Sequence, residues 1–158
     1  MAELQYLAAR LSQAWRAGAL DERLLAPGAG WNLSQTLQHC AQTVSYSVTG
    51  YPRLRPRLFR LTAGRLVKTV FLRRAAMRHP LDAEIAGAPA LDRALPPAAA
   101  LDLLIDAVTV FSAHTGEHPP HPAYGPCTHA EYAALHAMHL AEHLPGLPGP
   151  DGPPSAGR

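Results

Sequence analysis

Three observations predict an all-α fold, a single helical bundle, for this chain of 158 residues. Apolar residues recur every three or four positions in several long segments, which is the spacing of a buried helix face. Proline and glycine lie mainly between those segments, where they end one helix and allow a turn before the next. No segment alternates apolar and polar residues for long enough to predict a strand. A chain of this length, with 47% hydrophobic residues, buries one core without disulfides.

The first segment, residues 2–17, predicts an amphipathic helix. Its buried face is expected to consist of residues spaced by three or four: Leu4, Leu7, Ala8, Leu11 and Trp15. Gly18 weakens a continuation of this helix, and the connector 18–31 contains Pro27, Gly28 and Gly30, which favour turns. We therefore expect this N-terminal helix to be accessory to four longer ones.

The second helix is predicted to begin at Asn32 or Ser34, either of which can cap it, and to run to about Val48. One apolar stripe predicts its buried side: Leu33, Leu37, Ala41, Val44 and Val48. His39 lies on roughly the opposite side, among polar neighbours. That position is typical of a solvated surface, and it indicates a functional role for His39 only if the polar face lines a cavity.

The third helix is predicted over residues 56–76, with Pro56 at its first position. Its core face is expected to contain Leu58, Leu61, Leu66, Val67 and Val70. Nine basic and no acidic residues occur from Arg53 to Arg78, and an anionic partner such as nucleic acid is one interpretation. Because neither interleaved aromatic residues nor a nucleic-acid motif accompanies this cluster, we favour a solvated helix face, and nucleic acid is not an expected partner.

A long connection, from Met77 to Pro97, separates the third helix from the fourth. In a compact domain, a connection of this length commonly lies across another element. The fourth helix is predicted to start at Pro96-Pro97 and to end near His114. Its buried side is expected to contain Leu101, Leu104, Ile105, Val108 and Phe111.

The last helix, from Thr128 to Leu144, carries the residues that indicate a function. Thr128 and Glu131 have the spacing of a capping box, and Pro145 ends the helix. On a helical wheel, four ring side chains share one narrow sector with apolar neighbours: Tyr132, His136, His139 and His143. Because buried imidazoles need partners, a divalent metal shared among them is the simplest interpretation.

The loop before this helix, residues 115–127, is rich in histidine and proline and is expected to be extended. It brings His118, His121 and Tyr124 to the start of the histidine helix, so its histidines compete as metal ligands. The Pro/Gly-rich residues 146–158 are expected to form a disordered tail, which leaves residues 1–145 as one helical domain.

Two motifs resemble a known family. The sequence WNLSQTLQH, residues 31–39, is similar to the W-S/N-x-x-Q/E-x-L-x-H opening of the second helix in DinB-like (YfiT-type) metalloenzymes. His139 and His143 resemble the H-x-x-x-H pattern late in the same proteins. The segment from His121 to Tyr132 is similar to an uncharacterised branch of that superfamily. The resemblance spans roughly residues 30–145, and the order of the motifs is more specific than either motif alone.

The resemblance implies a DinB-like four-helix bundle that holds a divalent metal, commonly zinc or nickel, between one histidine of the second helix and two of the last. By position these ligands are His39, His139 and His143. His136 is a further candidate on the same face, expected to lie beside the metal rather than on it. Which of His39, His136 or His121 supplies the third nitrogen is left open. The family's activities include thiol transfer with low-molecular-weight thiols.

Three neutral imidazoles leave one metal position free, which is the arrangement of catalytic rather than structural zinc. We therefore expect a metal-dependent enzyme, a thiol S-transferase or a hydrolase, whose partner is a small-molecule substrate or thiol. The residues expected to line the pocket or to support the metal ligands from behind are His136, His121, Tyr46, Tyr124 and Tyr132. The alternative is a non-catalytic metal-binding or ligand-binding bundle, and a homodimer is compatible with either function.

The lack of long apolar runs and the low cysteine content indicate where in the cell the protein is expected. No run of about 18 apolar residues predicts a transmembrane helix, and the first residues lack the apolar core of a secretory signal. Cys40 and Cys127 are too few for a disulfide framework. We therefore expect a cytoplasmic protein without a membrane partner, in which Cys40 is a small buried apolar residue.

Overall fold

The computed structural model describes residues 1–147, and six α-helices lie within that range. In chain order they are α1 (Ala2–Arg16), α2 (Leu33–Thr49), α3 (Arg57–Leu61), α4 (Ala63–Arg74), α5 (Pro97–Ala113) and α6 (His129–His143). A short 3₁₀ helix, Glu22–Leu24, follows α1. Since no strand occurs in the described residues, the predicted all-α bundle is confirmed.

Capping boxes fix the beginnings of the two helices that carry the candidate ligands. At α2 the Asn32 side chain accepts the Gln35 N–H at 2.9 Å, and the Gln35 side chain accepts the Asn32 N–H at 3.3 Å. At α6 Thr128 and Glu131 make the same reciprocal pair, at 3.2 and 2.9 Å. These contacts satisfy backbone donors that a first turn leaves free, so both helices begin where the sequence predicts.

The core lies between α1, α2, α5 and α6, with α2 and α5 forming the largest interface. The predicted apolar faces of α2 and α5 are buried, apart from Val48 and Ile105, which are partly buried. α1 adds Leu4, Leu7, Ala8 and Leu11 to the core. The prediction that Trp15 is buried was wrong, because the last turn of α1 extends into solvent and leaves this side chain 50% exposed.

The third predicted helix is divided at Thr62 into α3 and α4, and its apolar residues do not form a core face. Leu58 is 77% exposed and Leu66 is 67% exposed. The predicted core face of Leu58, Leu61, Leu66, Val67 and Val70 was therefore wrong, and of these residues only Val70 is half-buried.

A close backbone contact and a buried cation orient α4 instead. Gly64 lies so near Ala123 that a side chain there would overlap the Ala123 carbonyl group. Lys68, which the sequence groups with the solvated basic residues, is 7% exposed. Its Nζ donates to the carbonyl oxygen of Pro126 at 2.7 Å and to the carboxylate of Glu131 at 3.0 Å. These contacts attach α4 to the loop before α6 and to its first turn.

We expect the outward leucines of α3 and α4 to contribute little to stability. Leu66→Ser is expected to change the free energy of unfolding by no more than about 0.5 kcal/mol, because an exposed side chain loses little buried area. Leu104→Ala, in the fully buried face of α5, is expected to cost about 2–5 kcal/mol. Urea unfolding of both variants measures the contrast. A loss of about 2 kcal/mol or more for Leu66→Ser would show that this face is covered in solution.

The long connection between α4 and α5 lies along the polar face of α2. The Gln38 side chain accepts from the Asp92 N–H at 2.9 Å and donates to the Asp92 carbonyl at 2.8 Å. Asn32 and Gln42 donate to carbonyl groups of the same connection. Because the connection covers this face, His39 is only 4% exposed rather than solvated.

The described residues directly after α6 pack against the short 3₁₀ helix that follows α1. Gly146 N–H donates to the Leu24 carbonyl at 3.2 Å, and Leu147 is buried. The rest of the predicted disordered tail, residues 148–158, lies outside the described residues. Within residues 1–147, no helix is long and apolar enough to cross a bilayer.

Candidate metal centre

Four histidine rings converge at one point between α2, α6 and the α4–α5 connection. His139 Nε2 lies 3.2 Å from His39 Nε2 and 3.1 Å from His143 Nε2. His143 Nε2 in turn lies 3.2 Å from His79 Nε2. One nitrogen from each ring belongs to a group whose members all lie within 4.8 Å of one another. The structure thus brings together the predicted His39, His139 and His143, and adds His79.

Each element contributes for a simple geometric reason. His139 and His143 are four residues apart on α6, so their side chains leave the helix in the same direction. His39 comes from the covered polar face of α2. His79 comes from the α4–α5 connection, which covers that face of α2. Trp31 packs on the His39 ring at 4.8 Å and stacks on the His143 ring at 6.3 Å, which shields one side of the cluster.

Glu142 sets the orientation and the tautomer of His79. The Glu142 carboxylate accepts from His79 Nδ1 at 2.6 Å and from the His79 backbone N–H at 3.0 Å. A carboxylate only accepts, so Nδ1 carries the ring proton and, in the neutral ring, Nε2 presents a lone pair to the cluster. A histidine held by a carboxylate through its other nitrogen is a common arrangement of protein metal ligands.

The protons of four neutral rings cannot satisfy all three nitrogen contacts separately. When all four rings are neutral, His79 Nε2 is an acceptor, so His143 Nε2 must donate to it. That proton is then unavailable for the contact between His143 and His139 unless it is shared. A cation at the centre accepts a lone pair from every ring and removes this conflict. The arrangement therefore fits a metal ion better than a hydrogen-bond network.

Burial keeps three of the four rings neutral, which is the form that binds a metal. Burial, and then the charge of His79, lowers the pKa of His39 to about 4. Burial likewise lowers the pKa of His143 to about 3 and holds the pKa of His139 well below its usual range. These imidazoles are neutral at pH 7, so each ring has one nitrogen with a lone pair available for a metal. Metal binding therefore does not need to displace a proton from them.

The nitrogen spacing suits a first-row divalent ion. A tetrahedral ion with metal–nitrogen bonds of 2.0–2.1 Å sets neighbouring nitrogens about 3.3 Å apart. Three of the Nε2–Nε2 distances in the cluster are 3.1 to 3.2 Å. Imidazole ligands are compatible with zinc, nickel, copper and iron, so the donor set excludes a calcium- or magnesium-type site without choosing among these metals.

A cavity of about 470 Å³ opens beside the cluster. His39, His79 and His139 form part of its wall, whereas His143 does not. A volume of this size is typical of small-molecule sites, which hold ligands largely by apolar contact with a few polar anchors. The candidate metal position is thus accessible to a small molecule from one side.

The predicted pocket residues divide into two groups. His136, His121 and Tyr124 line the cavity. Tyr46 and Tyr132 are not among its lining residues: Tyr46 packs against Tyr51, and the Tyr132 hydroxyl donates to the Pro119 carbonyl at 2.9 Å. The Tyr132 ring instead stacks on His136, which does line the cavity, so Tyr132 lies behind the wall rather than in it.

The remaining candidate histidines lie outside the four-nitrogen cluster. His136 Nε2 is buried without a hydrogen-bond partner in residues 1–147, and its ring stacks on Tyr132. His118, in the loop, contacts His129 at 2.9 Å and the Ser47 carbonyl at 2.8 Å. The sequence missed His79 because it lies in a segment without helical periodicity. The one available signal was the length of that segment, which suggested that it lies across another element.

His136 is expected to make the metal-free protein less stable in acid. Burial, followed by the charges of His121 and His118, lowers its pKa from 6.5 to about 3. Between these values the unfolded chain binds a proton that the folded chain does not, so stability falls as the pH falls. His136→Leu should therefore reduce the pH dependence of unfolding by up to about 1.4 kcal/mol per pH unit. Urea unfolding of chelator-treated protein across this range measures it, and identical slopes for both proteins would contradict it.

The fold and the site together define an all-α bundle with a buried four-histidine cluster beside a small-molecule-sized cavity. Residues 2–148 match the family described as "Protein of unknown function (DUF1569)", and the chain belongs to that family. Comparisons with curated proteins and with solved structures found no match.

Proposed function

We propose that this protein is a divalent-metal-dependent enzyme that acts on a small molecule, with His39, His79, His139 and His143 as metal ligands. The observation that carries the proposal is the convergence of four imidazole nitrogens at the wall of a cavity. Buried histidines that only fill a core do not need a common meeting point, and they do not need a cavity next to it.

Four histidines are compatible with catalysis. Zinc can expand from four to five ligands during a reaction, and other first-row metals commonly accept more than four. His79 belongs to a segment without helix and its side chain is 23% exposed, so it is the least enclosed of the four ligands. A small molecule that enters the cavity therefore approaches the metal position from the side of His79, His39 and His139.

The chemistry we propose is thiol transfer or hydrolysis. A divalent ion in this site supplies Lewis acidity, which lowers the pKa of a water or thiol beside it. The protein's own thiols are unsuited to the nucleophilic role, because burial raises the pKa of Cys40 to about 12 and that of Cys127 to about 11. In a transfer reaction the nucleophilic sulfur would therefore come from a separate low-molecular-weight thiol.

We also propose placement in the DinB-like superfamily. What supports it is that the two motifs that resemble the family, residues 31–39 and His139 to His143, lie at the start of α2 and on α6 and contribute three rings to one cluster.

The second candidate function is structural: the cluster would bind a metal that only stabilises the bundle. It is favoured by a fourth nitrogen from His79, which Glu142 holds in place, since structural zinc sites are usually closed by four protein ligands.

Elemental analysis followed by cobalt substitution distinguishes these functions. We expect about one equivalent of a divalent transition metal in the untagged protein, since the cluster provides one site. We further expect the visible spectrum of the Co(II) form to change when 2-mercaptoethanol is added, because an accessible ion exchanges or adds a ligand. A spectrum insensitive to the thiol would favour the stabilising role. Absence of metal in any preparation of folded protein would overturn both functions.

A further inference from the structure

We infer that the cavity beside the histidine cluster recognises a small amphipathic anion of the carboxylate class, with Arg53 and Arg55 as its anchors. This inference rests on the proposed function, because it names the substrate class of the same site. It assigns a role to two arginines of the basic segment that neither the fold nor the metal cluster requires.

The charge of the cavity wall favours an anion. Arg53, Arg55 and Glu84 are the charged residues outside the histidine cluster that line it, so the wall carries an excess of one positive charge. Within residues 1–147 neither arginine makes an ion pair, although three other ion pairs are present there. A carboxylate in the cavity would provide the missing partner, and a guanidinium can bind it through two parallel N–H groups.

The backbone of Arg55 is held in place beside the cavity. Its N–H donates to the Pro122 carbonyl at 3.0 Å, and its own carbonyl accepts from Arg60 Nε at 2.9 Å. The Arg55 guanidinium lies 5.1 Å from the centre of the Phe59 ring, a favourable cation–π contact that leaves its N–H edges free. The arginine is therefore positioned at the cavity while its donors remain unused.

His121, which lines the cavity, adds a hydrogen-bond donor of fixed tautomer. His121 Nδ1 accepts the backbone N–H groups of Ala123 at 3.1 Å and of Tyr124 at 3.2 Å. It carries no proton, so the neutral ring carries its proton on Nε2. Burial, and then the charge of Lys68, lowers the pKa of His121 to about 3, which keeps the ring neutral. Its Nε2–H makes no hydrogen bond within residues 1–147 and can donate to an oxygen of a ligand.

Part of the cavity wall is apolar. Leu54, Ile85 and Leu135 line the cavity together with the rings of Tyr51 and Tyr124. The Tyr51 hydroxyl already donates to the Thr43 carbonyl at 2.9 Å, so Tyr51 offers mainly its ring to a ligand. These residues suit an apolar body, while the arginines and His121 suit an acidic end. Together they define an amphipathic anion rather than a sugar or a free phosphate.

The test compares a carboxylate with its uncharged analogue. We would titrate the metal-loaded protein with 4-phenylbutyrate and with 4-phenylbutanamide by calorimetry. We expect the acid to bind about tenfold more tightly, because hydrogen bonds to a charged group are stronger than those to a neutral one. The double variant Arg53→Gln/Arg55→Gln should lose this preference, and since both side chains are exposed it should fold normally.

A matched control removes the same charge elsewhere. Arg57→Gln/Arg65→Gln changes two exposed arginines of the same segment that do not line the cavity, and it should retain the preference for the acid. Equal binding of acid and amide, no saturable binding at millimolar concentration, or an equal loss in the control would overturn the inference.

Removal of the metal separates this inference from the proposed function. If the preference for the acid persists after chelator treatment, the arginines carry it. If the preference disappears, the ion rather than the arginines binds the carboxylate, and the inference fails. A protein that holds no metal but still prefers the acid would refute the proposed function and leave the anion site standing.

Discussion

His139→Ala is expected to weaken binding of a divalent metal roughly 100- to 1,000-fold. The binding free energy of four-ligand zinc sites is about 10–16 kcal/mol, so an average ligand contributes about 3 kcal/mol. His139 is a central ring of the cluster, since its Nε2 lies within 3.2 Å of two other imidazole nitrogens. Competition with a chromophoric chelator measures the affinity, and elemental analysis should show that the purified variant has lost its metal.

Two further variants test whether the loss of metal affinity is specific to the histidine cluster. His129→Ala removes a histidine from the same helix outside the cluster, so its metal affinity should be unchanged. Glu142→Gln keeps all four rings but weakens the contact that orients His79, and it should lower affinity by about 10- to 100-fold. Full metal retention in His139→Ala would show that the ion lies elsewhere. An equal loss in His129→Ala would indicate a general effect on folding.

Gly64→Ala is expected to destabilise the protein by about 1–3 kcal/mol, although the same change in most helices stabilises by up to about 1 kcal/mol. A Cβ at this position would overlap the Ala123 carbonyl oxygen, and it would lie 3.0 Å from the Ala123 carbonyl carbon and 3.2 Å from the Phe59 carbonyl oxygen. All of these are backbone atoms, so no side-chain rotation relieves the overlap. The helix α4 would have to move away from the loop that lines the cavity.

Urea unfolding of Gly64→Ala against Arg65→Ala measures this effect. Arg65 is exposed in the same helix, so its replacement by alanine should change stability by no more than about 0.5 kcal/mol. Because Pro122, Ala123 and Tyr124 line the cavity, Gly64→Ala should also weaken ligand binding there. A Gly64→Ala protein as stable as the parent would show that α4 is not held against this loop.

The positions of the helices were largely predictable, because their signals are local. The two capping boxes and the prolines at the start of α5 each act within one turn of backbone. The same is true of the buried faces of α2 and α5, where the apolar spacing is regular. The α6 sequence also placed His139 and His143 on one buried face, as the structure has it.

The α4 helix shows where local pattern is insufficient. Its apolar residues Leu66, Val67 and Val70 have the spacing of a core face, yet the helix turns Gly64 and Lys68 inward. The cause is a contact with residues about 60 positions away in sequence, where Lys68 satisfies the Pro126 carbonyl and the Glu131 carboxylate. Periodicity identifies an apolar face, but it does not show which neighbour the helix will meet.

The sequence by itself determined the bundle, the limits of its main helices and the pair of histidines one turn apart on α6. The tertiary structure decided that the polar face of α2 is covered, and therefore that His39 faces a cluster instead of solvent. It alone supplied His79 and the carboxylate of Glu142 that orients it. The physical reason is that helix formation depends on neighbours within a few residues, whereas a four-histidine site depends on where an irregular connection crosses the bundle.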